Sequence, residues 1–221
     1  MHANGGRKMK IQPFEEYTQK YEKWFDTNRF AYESELEAVR IMLPKQGKGV
    51  EIGVGSGKFA VPLEVKFGLD PSPKMRALAE KRGIEVKEGI AEKLPYKTEM
   101  FDYALMVTTL CFLDDIHIAF KEIHRILNSG GFFINGFIDK ESELGKFYQK
   151  HKQESDFYKV AKFYSVDEVV GVLKKENFEN FEFVQTIFQD LSDVSTTEPI
   201  ESGHGRGSFV VIKAKKSGEK K

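Results

Sequence analysis

The chain is 221 residues long, enough for one domain with a sizeable core. Lysine plus arginine and aspartate plus glutamate are equal at 34 each, so the formal net charge is zero and the global basic footprint of a nucleic-acid-binding protein is missing. A single cysteine, Cys111, excludes an intrachain disulfide framework; no apolar run reaches the length of a membrane span and the N-terminus lacks a signal-peptide core, so a cytoplasmic protein is expected.

Residues 1–10, polar and carrying the Gly5-Gly6 pair, read as an unstructured leader ahead of a domain over 11–215. From 13 to 43 the pattern is helical, with Phe14, Tyr17, Tyr21, Trp24 and Phe25 three or four residues apart. A second helix, near 32–43, carries Leu36, Val39, Arg40 and Leu43 and stops before Pro44. The aromatic stripe has two readings: plain packing against a sheet, or a lid over 11–46 whose Tyr17, Tyr21 or Trp24 closes on a ligand and excludes water.

A short β-rich run, 49–53, then breaks into Gly53, Gly55 and Gly57 at alternate positions, as a turn needing positive φ or close approach to a ligand would. Residues 59–63 suggest a short helix, and a second strand over 66–70 ends on Asp70. A glycine turn followed by a strand-end acid suits a nucleoside, the carboxylate accepting from ribose hydroxyls. Two cofactor classes use this arrangement, and a ligand-free turn remains the third reading. A dinucleotide site wants Gly-x-Gly-x-x-Gly, but Lys58 stands where its last glycine belongs. The spacing fits S-adenosylmethionine better, since that cofactor has no phosphate and an acid such as Glu51 complements its cationic methionine end.

Further on, after residues 71–75, a helix through Ala77, Leu78 and Ala79 to Arg82 ends at Gly83, a strand follows at 84–88 and a loop at 89–96. Residues 101–107 form a buried strand that opens into 108–115. A helix from 116 to 127, the turn Asn128-Ser129-Gly130-Gly131 and a strand over 132–137 come next. Regular alternation of strand and helix predicts a doubly wound α/β fold. An aromatic insertion, 138–164, leads to Ser165 and Glu168, a capping box for a helix to about 176. Two strands, around 181–184 and 207–212, should pair antiparallel. The expectation is a mostly parallel seven-stranded sheet with an antiparallel last strand, an N-terminal helical lid and a solvated tail over 216–221.

Four stretches in order carry a family resemblance: Glu51-x-Gly53-x-Gly55-x-Gly57, Gly68-Leu69-Asp70-Pro71-Ser72, the loop from Gly89 to Tyr96 with Phe101-Asp102 after it, and Arg125-Ile126-Leu127-Asn128-Ser129-Gly130-Gly131. Together they resemble the class I, Rossmann-like S-adenosylmethionine-dependent methyltransferases, especially the small-molecule group that includes quinone-biosynthesis enzymes. The resemblance implies methyl transfer from S-adenosylmethionine to a small-molecule acceptor.

Residue by residue, it implies that Gly53 and Gly55 lie beneath the methionine part and that Glu51 orients it, directly or through water. Asp70 would hold the ribose, with Pro71 and Met75 along the adenine face. The Ala91 amide would bond the adenine, and the Thr108 carbonyl would face the methionine ammonium. Two departures stand out. Ile90 replaces the usual acid that bonds the adenine amino group, and Asn177-Phe178 replaces a glycine-phenylalanine pair. None of the histidines, His2, His117, His124, His151 or His204, announces a catalytic base, and no cluster has metal spacing. A protein or RNA methyltransferase, a nicotinamide oxidoreductase and a non-catalytic cofactor-binding module stay open as alternatives, as does oligomeric state.

Overall fold

The computed structural model describes the backbone of residues 3–218 and the side chains of residues 10–218. Three helices come first: α1 (Ala3–Glu16), α2 (Thr18–Thr27) and α3 (Arg29–Met42). The alternating part holds β1 (Gly49–Ile52), β2 (Phe67–Asp70), α4 (Pro73–Lys81), β3 (Glu85–Glu88), β4 (Phe101–Val107), α5 (Ile116–Ile126) and β5 (Leu127–Ile138). Then come α6 (Glu143–Lys150), α7 (Val166–Lys175), β6 (Phe178–Thr186), β7 (Glu201–Ser202) and β8 (Phe209–Lys216).

The strands form one sheet in the order β3-β2-β1-β4-β5-β8-β6-β7. Neighbours from β3 to β5 are parallel, while β8 runs antiparallel to both β5 and β6. This is the doubly wound sheet expected, with the two-residue β7 added at the edge beyond β6.

Alternation along the strands feeds two cores. Ala104 and Met106 of β4 face the layer of α5 and α7, and Tyr103, Leu105 and Val107 face the layer of α3 and α4. Helix α5 starts where Asp115 accepts the His117 and Ile118 amides at 2.8 and 3.2 Å. It buries Ile116, Ala119, Phe120, Ile123 and Ile126 on one stripe. Each of the larger side chains contributes about 1.5–3 kcal/mol by leaving water. Helix α7 carries the predicted capping box between Ser165 and Glu168.

Four local expectations change. The leader is helical from Ala3, because good helix formers from Arg7 to Lys10 outweigh the glycine pair; its first two residues lie outside the described ones. Residues 59–64 form successive turns and no helix, since Pro62 lacks an amide proton and Glu64 takes a left-handed φ of 59°. The turn at 128–131 is a bulge inside β5, where Phe101 pairs with Leu127 and Tyr103 with Phe132. The expected tail begins inside β8. Lys216 is 7% exposed and its ammonium donates to the Leu127 carbonyl at 2.8 Å, while Ser217 and Gly218 follow and the last three residues lie outside the described ones.

Candidate active site

Strand order reverses between β1 and β4, and in open α/β sheets a ligand crevice opens at the carboxyl ends of the strands there. The glycine turn leaves β1 at that point. Amides of Gly53 and Val54 donate to the Leu69 carbonyl at 2.8 and 3.0 Å, which ties the turn to the end of β2. Gly53 and Gly55 have φ of 74° and 54°. A β-carbon on Gly53 would meet the Thr109 methyl at 2.4 Å, and one on Gly55 would meet the Tyr21 hydroxyl at 2.9 Å. Only glycine fits that space.

Asp70 closes the turn from the other side. Its carboxylate accepts the Gly55 amide at 2.9 Å and the Ser72 amide at 2.8 Å. Burial pushes its pKa up to about 6, against the two amide bonds. Helix α4 follows, with Ser72 as N-cap, accepting the Met75 amide at 3.2 Å, and Pro73 in the first turn.

A cavity of about 600 Å³ starts at this corner. Gly53, Gly55, Asp70, Pro71, Met75, Ile90, Ala91 and Thr108 all line it, so the structure brings together six of the seven residues expected at a cofactor site. Thr108 holds a left-handed φ of 51° at the end of β4, its amide donating to the Gly136 carbonyl at 2.8 Å. Strain of this kind persists where the surroundings over-determine it, often at a ligand site.

Glu51 is the exception. It is 1% exposed and does not line the cavity; it lies under the turn, where the Ala60 amide donates to its carboxylate and Oε2 finds no partner. Burial raises its pKa well above the usual range. The orphaned oxygen and the glycine cradle are what a cationic ligand end above the turn would complement.

The aromatic stripe of the N-terminal helices splits. Phe14, Tyr21 and Trp24 line the cavity, whereas Tyr17 faces Phe157 with ring centroids 6.3 Å apart. Helices α1 and α2 are both tied to the cavity rim formed by the glycine turn and α4. Glu15 accepts from the Ser72 hydroxyl and from the Lys74 amide at 3.1 Å. Glu22 accepts from Ser56 and Arg82, with Lys58 at 3.7 Å. Burial opposes ionisation of Glu22, but Arg82 and Ser56 hold its pKa below the usual range.

The far wall comes from the expected insertion, through Leu144, Phe147, Tyr148, Phe157 and Tyr158, and from α3 through Glu35. Sequence reasoning passed over Glu35. A signal existed, since it shares helical spacing with the buried Ala31, Ala38 and Met42. Cys111 belongs to a small side cleft and its thiol is raised by burial to about 12, so it is no thiolate nucleophile. Among the described residues no three histidine, cysteine or carboxylate side chains gather as a metal site, and no helix is long and apolar enough to cross a membrane.

The methyltransferase-domain family matches residues 50–135, the span from β1 into β5. An uncharacterised protein of Methanocaldococcus jannaschii is 45% identical over 203 residues, covering 92% of this chain and 98% of that protein. A demethylmenaquinone methyltransferase of Chlorobaculum parvum is 30% identical over 113 residues, 47% of each chain. Among solved structures, an S-adenosylmethionine-dependent methyltransferase of Thermotoga maritima, described as a possible histamine N-methyltransferase, is 51% identical, covers 94% of this chain and 99% of its own, and superposes with a TM-score of 0.91. The nicotinamide alternative falls away on these matches. Glycine turn, strand-end acid, sheet order and relatives agree, and the chain belongs to the S-adenosylmethionine-dependent methyltransferases.

Proposed function

We propose that this enzyme transfers a methyl group by in-line displacement to a small molecule enclosed with the cofactor. The observation that carries the reading is one continuous cavity. About 600 Å³ of space runs from Gly53 and Asp70 past Thr108 to Tyr148 and Tyr158, with Tyr21 and Trp24 from the lid in its wall. That volume suits small ligands, for which sites run from roughly 300 to 1,000 Å³. The Thermotoga relative's description names a small-molecule acceptor too.

Bound S-adenosylmethionine supplies a methyl group already activated on a sulfonium. The protein's part is to bind, orient and exclude water. In this reading Gly53 and Gly55 allow the methionine part to lie against backbone, and Asp70 accepts from the ribose hydroxyls. Pro71, Met75 and Ala91 flank the adenine, with Ile90 adding apolar contact where relatives of this family often hold an acid. The Thr108 carbonyl and the buried Glu51 favour the cationic end. Tyr21, over Gly55, keeps water from the reacting centre. A single cysteine and a net charge of zero fit a cytoplasmic enzyme.

Release of S-adenosylhomocysteine, measured across panels of small amines, phenols, thiols and quinols and against transfer RNA and cell protein, tests this. Turnover confined to small molecules is expected. Turnover only on RNA or protein would overturn it.

A further inference from the structure

We propose that the methyl acceptor carries a basic, protonated nitrogen and that the Glu35 carboxylate is its anchor. This rests on the small-molecule reading above and narrows it to amines.

Glu35 lies on the face of α3 that packs inward, beside Ala31, Ala38 and Met42, and is only 4% exposed. It nevertheless lines the cavity. No hydrogen bond or ion pair reaches its carboxylate from the described residues, and the positive charges nearest the mouth are engaged elsewhere. Lys10 pairs with Asp114 at 2.7 Å and Lys20 with Asp156 at 2.6 Å. A buried carboxyl with no partner is costly to ionise and makes no internal contact that would explain its place, which leaves it open to a ligand. Burial pushes its pKa up to about 8, with no other cause acting on it. A ligand cation is the missing partner.

The walls around it favour the same chemistry. Tyr148 and Tyr158 line the same cavity as Glu35, with their ring centroids 4.7 Å apart. Trp24 and Phe25 line the same cavity. Aromatic faces attract cations, and a cation beside the Glu35 carboxyl favours its ionised form, which an anion there would disfavour. An ammonium group satisfies every one of these surfaces; a carboxylate or phosphate acceptor satisfies none.

Matched probes separate the possibilities. The full chain, saturated with S-adenosylhomocysteine, is titrated calorimetrically at pH 7.5 with 2-phenylethylamine and tryptamine, and with their alcohol counterparts 2-phenylethanol and tryptophol. Wild type should bind the amines at least tenfold more tightly than the alcohols. In Glu35→Gln the gap should shrink below threefold, while S-adenosylhomocysteine itself binds within twofold of wild type. Equal binding of amines and alcohols, no binding of either, or a gap that survives Glu35→Gln overturns the anchor. So does a Glu35→Gln protein that loses S-adenosylhomocysteine, since the carboxylate would then belong to the cofactor. Loss of amine preference alone leaves the small-molecule reading standing; turnover on macromolecules with no probe binding removes both.

Discussion

The Asp70 carboxylate accepts the amide of Gly55 at 2.9 Å, so the acid at the end of β2 and the glycine turn after β1 form one piece of structure. Ribose hydroxyls would join a carboxylate already aimed by backbone. Because burial lifts its pKa from 3.8 to about 6, the folded protein binds protons that the unfolded chain has released between those values. Stability from this group is therefore greatest below pH 4 and is lost as pH rises toward 6. Cofactor affinity runs the other way, since hydroxyl donors need the ionised form. S-adenosylhomocysteine should bind roughly tenfold more weakly at pH 5 than at pH 7.5. Calorimetry on Asp70→Asn should show weaker binding and a flattened profile; an unchanged profile would remove Asp70 from the ribose site.

Gly53→Ala should cost about 1–3 kcal/mol from the left-handed backbone alone. Contact with Thr109 at 2.4 Å adds to that. Urea denaturation measures the loss, and S-adenosylhomocysteine binding should fall below detection. Gly83→Ala makes the control: it shares a positive φ of 90° but meets nothing within 4 Å, so it should lower stability while sparing affinity.

Removing Glu22 detaches α2 from Ser56, Arg82 and Lys58 together. The pairs are partly exposed, which limits the effect to about 1 kcal/mol. Amide hydrogen exchange in α2 should speed up about fivefold in Glu22→Ala, with β4 and β5 unchanged. Uniform acceleration would mean that Glu22 supports the whole fold and not α2 alone.

Glu35 offers a second pH signature. Its carboxyl rises from 4.5 to about 8, so its burden is absent at pH 4 and grows until pH 8. Glu35→Gln should melt with wild type near pH 4 and above it at pH 9, by up to about 5 kcal/mol at the linkage limit. Parallel melting curves at both values would place the carboxylate in contact with water.

The glycine turn and Asp70 were legible in the sequence because each obeys a local rule: positive φ selects glycine, and a strand-end acid shows itself by position. The capping box at Ser165 and Glu168 is local in the same way. Glu35 was not legible on those terms. It stands between the half-buried Glu33 and the exposed Glu37, and its burial depends on α3 lying across β5, β6 and β8. Lys216 was misread for a similar reason. A lysine-rich end suggests solvent, and the buried carbonyl of Leu127 that takes its ammonium lies 89 positions away. Glu51 was picked out as the acid before the glycines, and only the fold shows it under the turn and apart from the cavity wall.

Strand β8 lies between β5 and β6, and β7 hangs from β6. A nascent chain therefore cannot attach β6 to the sheet until Phe209–Lys216 has emerged, and it carries two unpaired edges until then. A cut just before Phe209 would unzip three strands and bare the side of β5 that Phe209, Val210, Val211 and Ile212 cover. The cofactor half would keep its own strands, yet α3 would lose the surface it rests on, and Glu35 with it. Quality control in the cell would meet the truncated product as an aggregating edge, long before it could be tested as a methyltransferase.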